Sequence, residues 1–137
     1  MTLTPLSQRA ARVFAHLTRD LNRIGDARRF DTARGTFMAV SVERIGRHTF
    51  SISHYGEQNG DLMADPDMTF YRDPASGCVY PMTFRNDYVH VHQEAAWLTS
   101  NETSIERFRP KLMRELATFA AQWFVNINEQ QNLKETL

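Results

Sequence analysis

Between residues 57 and 73, five acidic side chains, Glu57, Asp61, Asp65, Asp67 and Asp73, face a single base, Arg72. Carboxylates this dense can bind a hard cation, act as acid and base, or offer an acidic surface to a basic partner. Their spacing matches no calcium-binding loop, because the glycine and glutamate positions of such a loop are missing. Asn59, Gly56, Gly60 and Pro66 in the same stretch also suit a long connection whose polar side chains satisfy their own backbone. Taken as a contact surface, the stretch offers Glu57, Asn59, Asp61, Asp65, Asp67, Tyr71 and Asp73 as binding residues.

Two histidines form the next candidate group. His90 and His92 are two apart, and on a strand they point the same way at a spacing that can hold one divalent ion. A third ligand is hard to find. His54 shares its face with Phe50 and Ile52 if its strand is regular, and Glu94 reaches the far side of His92. A solvated surface pair is the simpler expectation. The lone cysteine, Cys78, alternates with Tyr80 and Met82 and so belongs to a core face, where unpaired cysteine behaves as a small hydrophobe. The sequence holds no nucleophile elbow, phosphate-binding glycine loop, dinucleotide fingerprint, zinc-ligand cysteine pair or His-Glu-x-x-His helix. Asn101-Glu102-Thr103 matches a glycosylation sequon without any sign of secretion beside it. A small metal-binding protein or hydrolase using the acidic stretch with His90 and His92 is therefore the second reading, and no cofactor is expected.

The elements that must position these residues follow from hydrophobic period. Leu6, Ala10, Val13, Leu17, Leu21 and Ile24 recur at helical spacing over about residues 5–24, with Thr4 and Pro5 at the start and Gly25 at the end. Asp26 to Gly35 has no period and is expected to be a connection. From residue 37 to 94 the period becomes two, which predicts five strands in an antiparallel meander, with the polar stretch from Tyr55 to Asp67 as a long connection. A second helix is expected over about 104–128, with Thr103 and Glu106 at capping-box spacing, Phe108 and Phe119 in its apolar face, and Pro110 either kinking it or beginning its main run. The tail from Glu129 should fray.

Alternation assigns the two sheet faces. Met38, Val40, Val42, Phe50, Ile52, Met68, Phe70, Cys78, Tyr80, Met82, Phe84, Val89 and Val91 make one, and Ser41, Thr49, Ser51, Ser53, Thr69, Tyr71, Thr83, His90 and His92 make the other. Both helices should cover the first face, giving one two-layer α+β domain with the second face open to water or a partner.

Composition narrows the function classes. The chain has 137 residues, 42% hydrophobic and 23% charged, with 16 basic side chains balancing 16 acidic ones. A fold of this size needs no disulfide or structural metal to stand. Seven arginines but only three aspartates occupy residues 1–36, whereas residues 37–103 hold nine acids against four bases. A pI near 7.0 lacks the surplus on which phosphate binding draws, so direct contact with nucleic acid is not expected. No run approaches the roughly 20 apolar residues of a membrane helix. The lone cysteine and the lack of a signal-peptide pattern point to the cytoplasm.

The run Glu57-Gln58-Asn59-Gly60-Asp61 to Asp65-Pro66-Asp67-Met68, followed by Tyr80-Pro81 and Phe84-Arg85-Asn86-Asp87, resembles a family of small uncharacterised bacterial proteins of plasmids, integrative elements and prophages. The resemblance covers about residues 37–95 and brings no catalytic residues with it. It implies a mobile-element protein that acts by binding another protein, an inhibitor of host defence of the anti-CRISPR kind whose acidic surface occupies a site meant for nucleic acid. The expected partner is a host nucleic-acid-binding defence complex. A homodimer through either helix stays open.

Overall fold

The computed structural model describes residues 2–31 and 37–137. Its elements in chain order are α1 (Gln8–Thr18), β1 (Ala27–Phe30), β2 (Val40–Arg44), β3 (Thr49–Gln58), β4 (Asp61–Arg72), β5 (Val79–Asn86), β6 (Val91–Glu94), β7 (Ala96–Leu98), β8 (Ile105–Phe108) and α2 (Pro110–Gln130). β1 to β6 form an antiparallel meander in sequence order, and β7 and β8 form a separate two-stranded ribbon. The fold is α+β with both helices on one face of the main sheet. Phe14 of α1 meets Phe50 and Phe70 at ring distances of 5.5 and 5.7 Å, while Phe124 of α2 meets Phe70 at 5.4 Å. Val40, Val42, Phe50, Ile52, Met68 and Phe70 are at most 1% exposed beneath the helices.

The meander has six strands where five were expected, because Ala27–Phe30, in the supposed connection, pairs with Val40–Glu43. Its Ala-Arg-Arg-Phe sequence hides the alternation. Arg28 lies with its guanidinium 5.8 Å from the Phe30 ring, a cation–aromatic contact that a hydrophobicity count scores as polar. Residues 32–35 of that supposed connection lie outside the described residues. Met38 precedes β2 and is half-exposed.

The largest correction concerns the polar stretch from Tyr55 to Asp67. It is not a connection. β3 and β4 run through it to a two-residue turn at Asn59-Gly60, with Gln58 paired to Asp61. Both turn residues have positive φ, 53° and 86°, the conformation that the Asn-Gly pair adopts most easily and that matches the twist of a hairpin.

Helix ends also differ from the pattern. α1 begins after Ser7, whose hydroxyl accepts from the Ala10 N–H at 3.2 Å, so Thr4-Pro5 lies ahead of the helix. It stops at Thr18, and Gly25 serves a later turn in which its N–H donates to the Arg44 carbonyl at 2.8 Å. Ile24 is consequently 62% exposed. Residues 105–108 belong to β8, not to a helix, and Thr103 joins an Asn101 hydroxyl cluster instead of a capping box. Pro110 starts α2, where its missing N–H costs no helical hydrogen bond. Phe119, expected in the core, is 40% exposed and packs edge-on against Phe84.

Register shifts at Ser53/Tyr55 and at Thr69/Phe70 reset the alternation in the main sheet. At Thr69/Phe70 the register with β5 slips, so Pro81 and Val79 oppose Phe70 and Arg72 and take the inward places predicted for Tyr80 and Cys78. Val89 sits in the turn before β6 and is exposed. The tail does not fray: Glu135 meets His16 at 2.9 Å, and the Gln131 side chain donates to the Met38 carbonyl at 3.0 Å.

Candidate binding face

The face of the sheet away from the helices is built from small hydroxyl side chains. Ser41 on β2, Ser51 and Ser53 on β3, and Thr69 on β4 occupy positions alternate to the buried Val40, Val42, Phe50, Ile52, Met68 and Phe70. Because serine and threonine are short, they leave a hollow of about 640 Å³, bordered by Arg29 and Glu43 at one side and by Tyr55 and Asp67 at the other. The β7–β8 ribbon closes one end of this face. Trp97, Leu98 and Glu102 line a smaller space over Thr49, Thr69 and Thr83. Tyr71, only 2% exposed, donates its hydroxyl to the Thr103 carbonyl at 2.9 Å.

Asp67 is the polar centre of the open part. It accepts from the Ser51 hydroxyl at 2.8 Å and from the Tyr55 hydroxyl at 2.7 Å. Burial, followed by the hydrogen bond to Asp67 and that carboxylate's charge, pushes the Tyr55 phenol up to about 12. The carboxylate therefore holds a neutral tyrosine and fixes its ring. Next along the sheet, the Thr69 and Thr83 hydroxyls are 2.5 Å apart. Arg85 donates from Nε and Nη2 to both oxygens of Asp87, at 2.9 and 3.0 Å. Asp87 also accepts from the Ala64 N–H, and these contacts, the Arg85 bond first, hold its carboxyl down at about 2.

The residues expected to bind through one acidic loop are dispersed. Glu57 and Asp61 stand exposed at the β3–β4 tip beside Asn59, with no side-chain partner among the described residues. Asp65 is half-buried and accepts from the Asn86 amide at 3.0 Å. Asp73 caps its own turn, accepting from the Ala75 N–H and the Ser76 hydroxyl. Of the set, only Asp67 borders the hollow, and Tyr71 is buried under the ribbon. His90 lies in a turn with φ 55°, off the strand that carries His92, so the strand spacing that would bring the two together is lost. Among the described residues no three His, Cys, Asp or Glu side chains gather as a metal site.

Sequence reasoning placed Ser41, Ser51, Ser53 and Thr69 on one open face. It missed Tyr55 and Arg29, because each lay in a supposed connection. The Asn59-Gly60 pair between two alternating runs was the signal that would have continued β3 through Tyr55.

The model of a domain of unknown function, DUF6908, matches residues 12–133. The chain belongs to the DUF6908 family. That span takes in all six strands of the sheet, the ribbon and α2, so the hollow lies wholly within the DUF6908 domain. No curated protein and no solved structure matches the chain. No helix of this DUF6908 chain, among its described residues, is long and apolar enough to cross a membrane.

Proposed function

We propose that this DUF6908 chain is a non-catalytic binding protein and that the helix-free face of its sheet is the surface on which a protein partner docks. The observation that carries the reading is the 640 Å³ hollow floored by serine and threonine hydroxyls. Short hydroxyl side chains let a partner's backbone or a flat surface approach closely, and they offer donors and acceptors without a charge to desolvate. A catalytic reading finds less support, because Asp67 is committed to two donors and His54 points to the other side of the sheet. Glu57 and Asp61 at the hairpin tip extend the face with free carboxylates that steer a basic partner. The resemblance of the 57–68 run to mobile-element proteins supports the rest of the proposal: a cytoplasmic inhibitor of a host defence complex, with the tip occupying a site meant for nucleic acid.

A photo-crosslinking residue at the exposed Ser41 should capture a partner that the same residue at the exposed Gln122 of α2 does not. Ser41→Arg should then weaken binding of that partner at least tenfold, and Glu57→Gln with Asp61→Asn should flatten its salt dependence. Equal capture from both positions, or undiminished affinity in Ser41→Arg, rejects the face as the docking surface.

A further inference from the structure

Between the open face of the sheet and the β7–β8 ribbon lies a further hollow, of about 380 Å³. That is the size of a small-molecule site. Ile45, Met82, Trp97 and Leu98 give it apolar walls, and the charged groups of its lining are two carboxylates, Glu94 and Glu102. Among the described residues no base borders it. Arg107 and Arg109 lie over the Trp97 ring, at 4.7 and 5.4 Å from its centre, and stay outside the lining.

Glu94 already accepts from the Trp97 indole N–H at 3.1 Å. Glu102, partly buried in the turn between β7 and β8, has no side-chain partner among the described residues. Thr49 on β3 is only 6% exposed, yet its hydroxyl makes no hydrogen bond among the described residues and, unlike the Trp123 indole N–H, is not shut off from water. Both unpaired oxygens stand over Gly46. A Cβ at that position would collide with Thr49 Oγ1 and Glu102 Oε1 together. The glycine thus lets a carboxylate from the ribbon and a hydroxyl from the sheet face one space without bonding to each other. Oxygens left in this state call for a donor.

The lining selects among ligands. An anion would be repelled by Glu94 and Glu102. A bare hard cation such as calcium takes about six to eight oxygen ligands, and no three His, Cys, Asp or Glu side chains gather among the described residues. An uncharged group would leave Glu102 without a counter-charge beside apolar walls. A primary ammonium answers both oxygens, because its N–H donors can reach the carboxylate, the hydroxyl and water at once. A hydrocarbon stem behind it would lie on the apolar walls.

We infer that this hollow is a binding site for a primary ammonium on a short unbranched hydrocarbon stem, with the ammonium donating to Glu102 and Thr49. A free alkylamine and the lysine side chain of another protein share that chemistry. The site adjoins the hydroxyl-floored hollow at Ile45 and Thr69, but it does not rest on the protein-docking reading, because a free amine needs no partner to fill it.

n-Pentylamine serves as probe, with n-pentanol as the analogue that keeps the stem and loses the charge. In 15N-labelled protein the indole N–H resonances of Trp97, beside the hollow, and of Trp123, on the helical side, report separately. Pentylamine should shift the Trp97 signal saturably and leave Trp123 in place, and pentanol should bind at least tenfold more weakly. Glu102→Gln and Thr49→Val should each weaken pentylamine several-fold. The comparison of the two probes on the wild-type chain stands even where a variant fails to fold. Nα-acetyl-lysine methylamide separates the sources: affinity equal to that of pentylamine assigns the hollow to a protein's lysine, and binding of pentylamine alone assigns it to a free amine. No shift of Trp97 with pentylamine, as when water alone fills the space, overturns the proposal. So do equal affinities for amine and alcohol, and so does undiminished pentylamine binding in Glu102→Gln.

Discussion

The two faces of the sheet share the same strands and even the same neighbouring residues, yet they are held by different forces. Phe70 is fully buried between Phe14 and Phe124, while the adjacent Thr69 turns outward to the Thr83 hydroxyl. Under the helices, non-directional burial fixes the fold and tolerates no loss of volume. On the open face, single hydrogen bonds fix the orientation of Tyr55, Ser51 and Asp67 while contributing little to stability. Stability and binding are thus separable within one sheet, and a substitution can address one without the other.

The sharpest test is Phe70→Ala against Thr69→Ala. The first should cost about 3–5 kcal/mol and the second about 1 kcal/mol by chemical denaturation. Equal losses would break the distinction between the faces. Tyr55→Phe comes next, with a loss of about 1 kcal/mol from the missing bond to Asp67. In the wild type the Tyr55 pKa is raised, so the neutral phenol is favoured by the fold. Its contribution is complete below pH 10 and disappears as pH rises through about 12. A tyrosinate absorbance titration should therefore show a component near 12 that Tyr55→Phe lacks.

His54 tests the buried side by pH in the opposite sense. Its folded pKa lies below the ordinary 6.5, chiefly through desolvation, so the unfolded chain takes up the proton first. Its contribution is present above pH 6.5 and is lost as pH falls toward the lower folded value. Urea midpoints of wild type and His54→Gln should diverge at neutral pH and converge in acid. A smaller effect is expected at the surface pair Arg85 and Asp87. The carboxyl is depressed to about 2, so Asp87→Asn should lower stability above pH 3.8, and the difference from wild type should vanish as pH falls through about 2. Ser41→Ala, at an exposed position of the open face, should finally stay within about 0.5 kcal/mol of wild type. A larger loss would mean that the open face has a structural role of its own.

The two-layer plan was legible because its strongest signals, the alternation of Val40 to Val42, Phe50 to Ile52 and Met68 to Phe70, are the residues that the helices bury. The β3–β4 hairpin was not, since Glu57, Asp61, Asp65 and Asp67 mask alternation that only Leu62, Ala64 and Met68 continue, and Leu62 is 73% exposed. Acidic character suggested a loop where backbone pairing prevailed. β8 was absorbed into the second helix because Ile105 and Phe108 are three apart and fit either period. His54 was assigned to the helical side correctly, but nothing in one sequence could show that the Trp123 indole beside it finds no acceptor among the described residues.

The order of the elements has a consequence for how the chain is made. The meander is complete once β6 has left the ribosome, and α1 is available from the start to cover part of its inner face. The other part of the cover, with Phe124 over Phe70 and Phe119 over Phe84, comes from α2, some sixteen residues past β6 in the chain. Until residues 110–130 emerge, a nascent chain holds a paired sheet with an unroofed aromatic strip, the condition in which newly made proteins recruit chaperones or stick to one another. Folding of this chain is therefore completed by its last helix, and a ribosome stalled before Pro110 presents a sheet that can pair but cannot close.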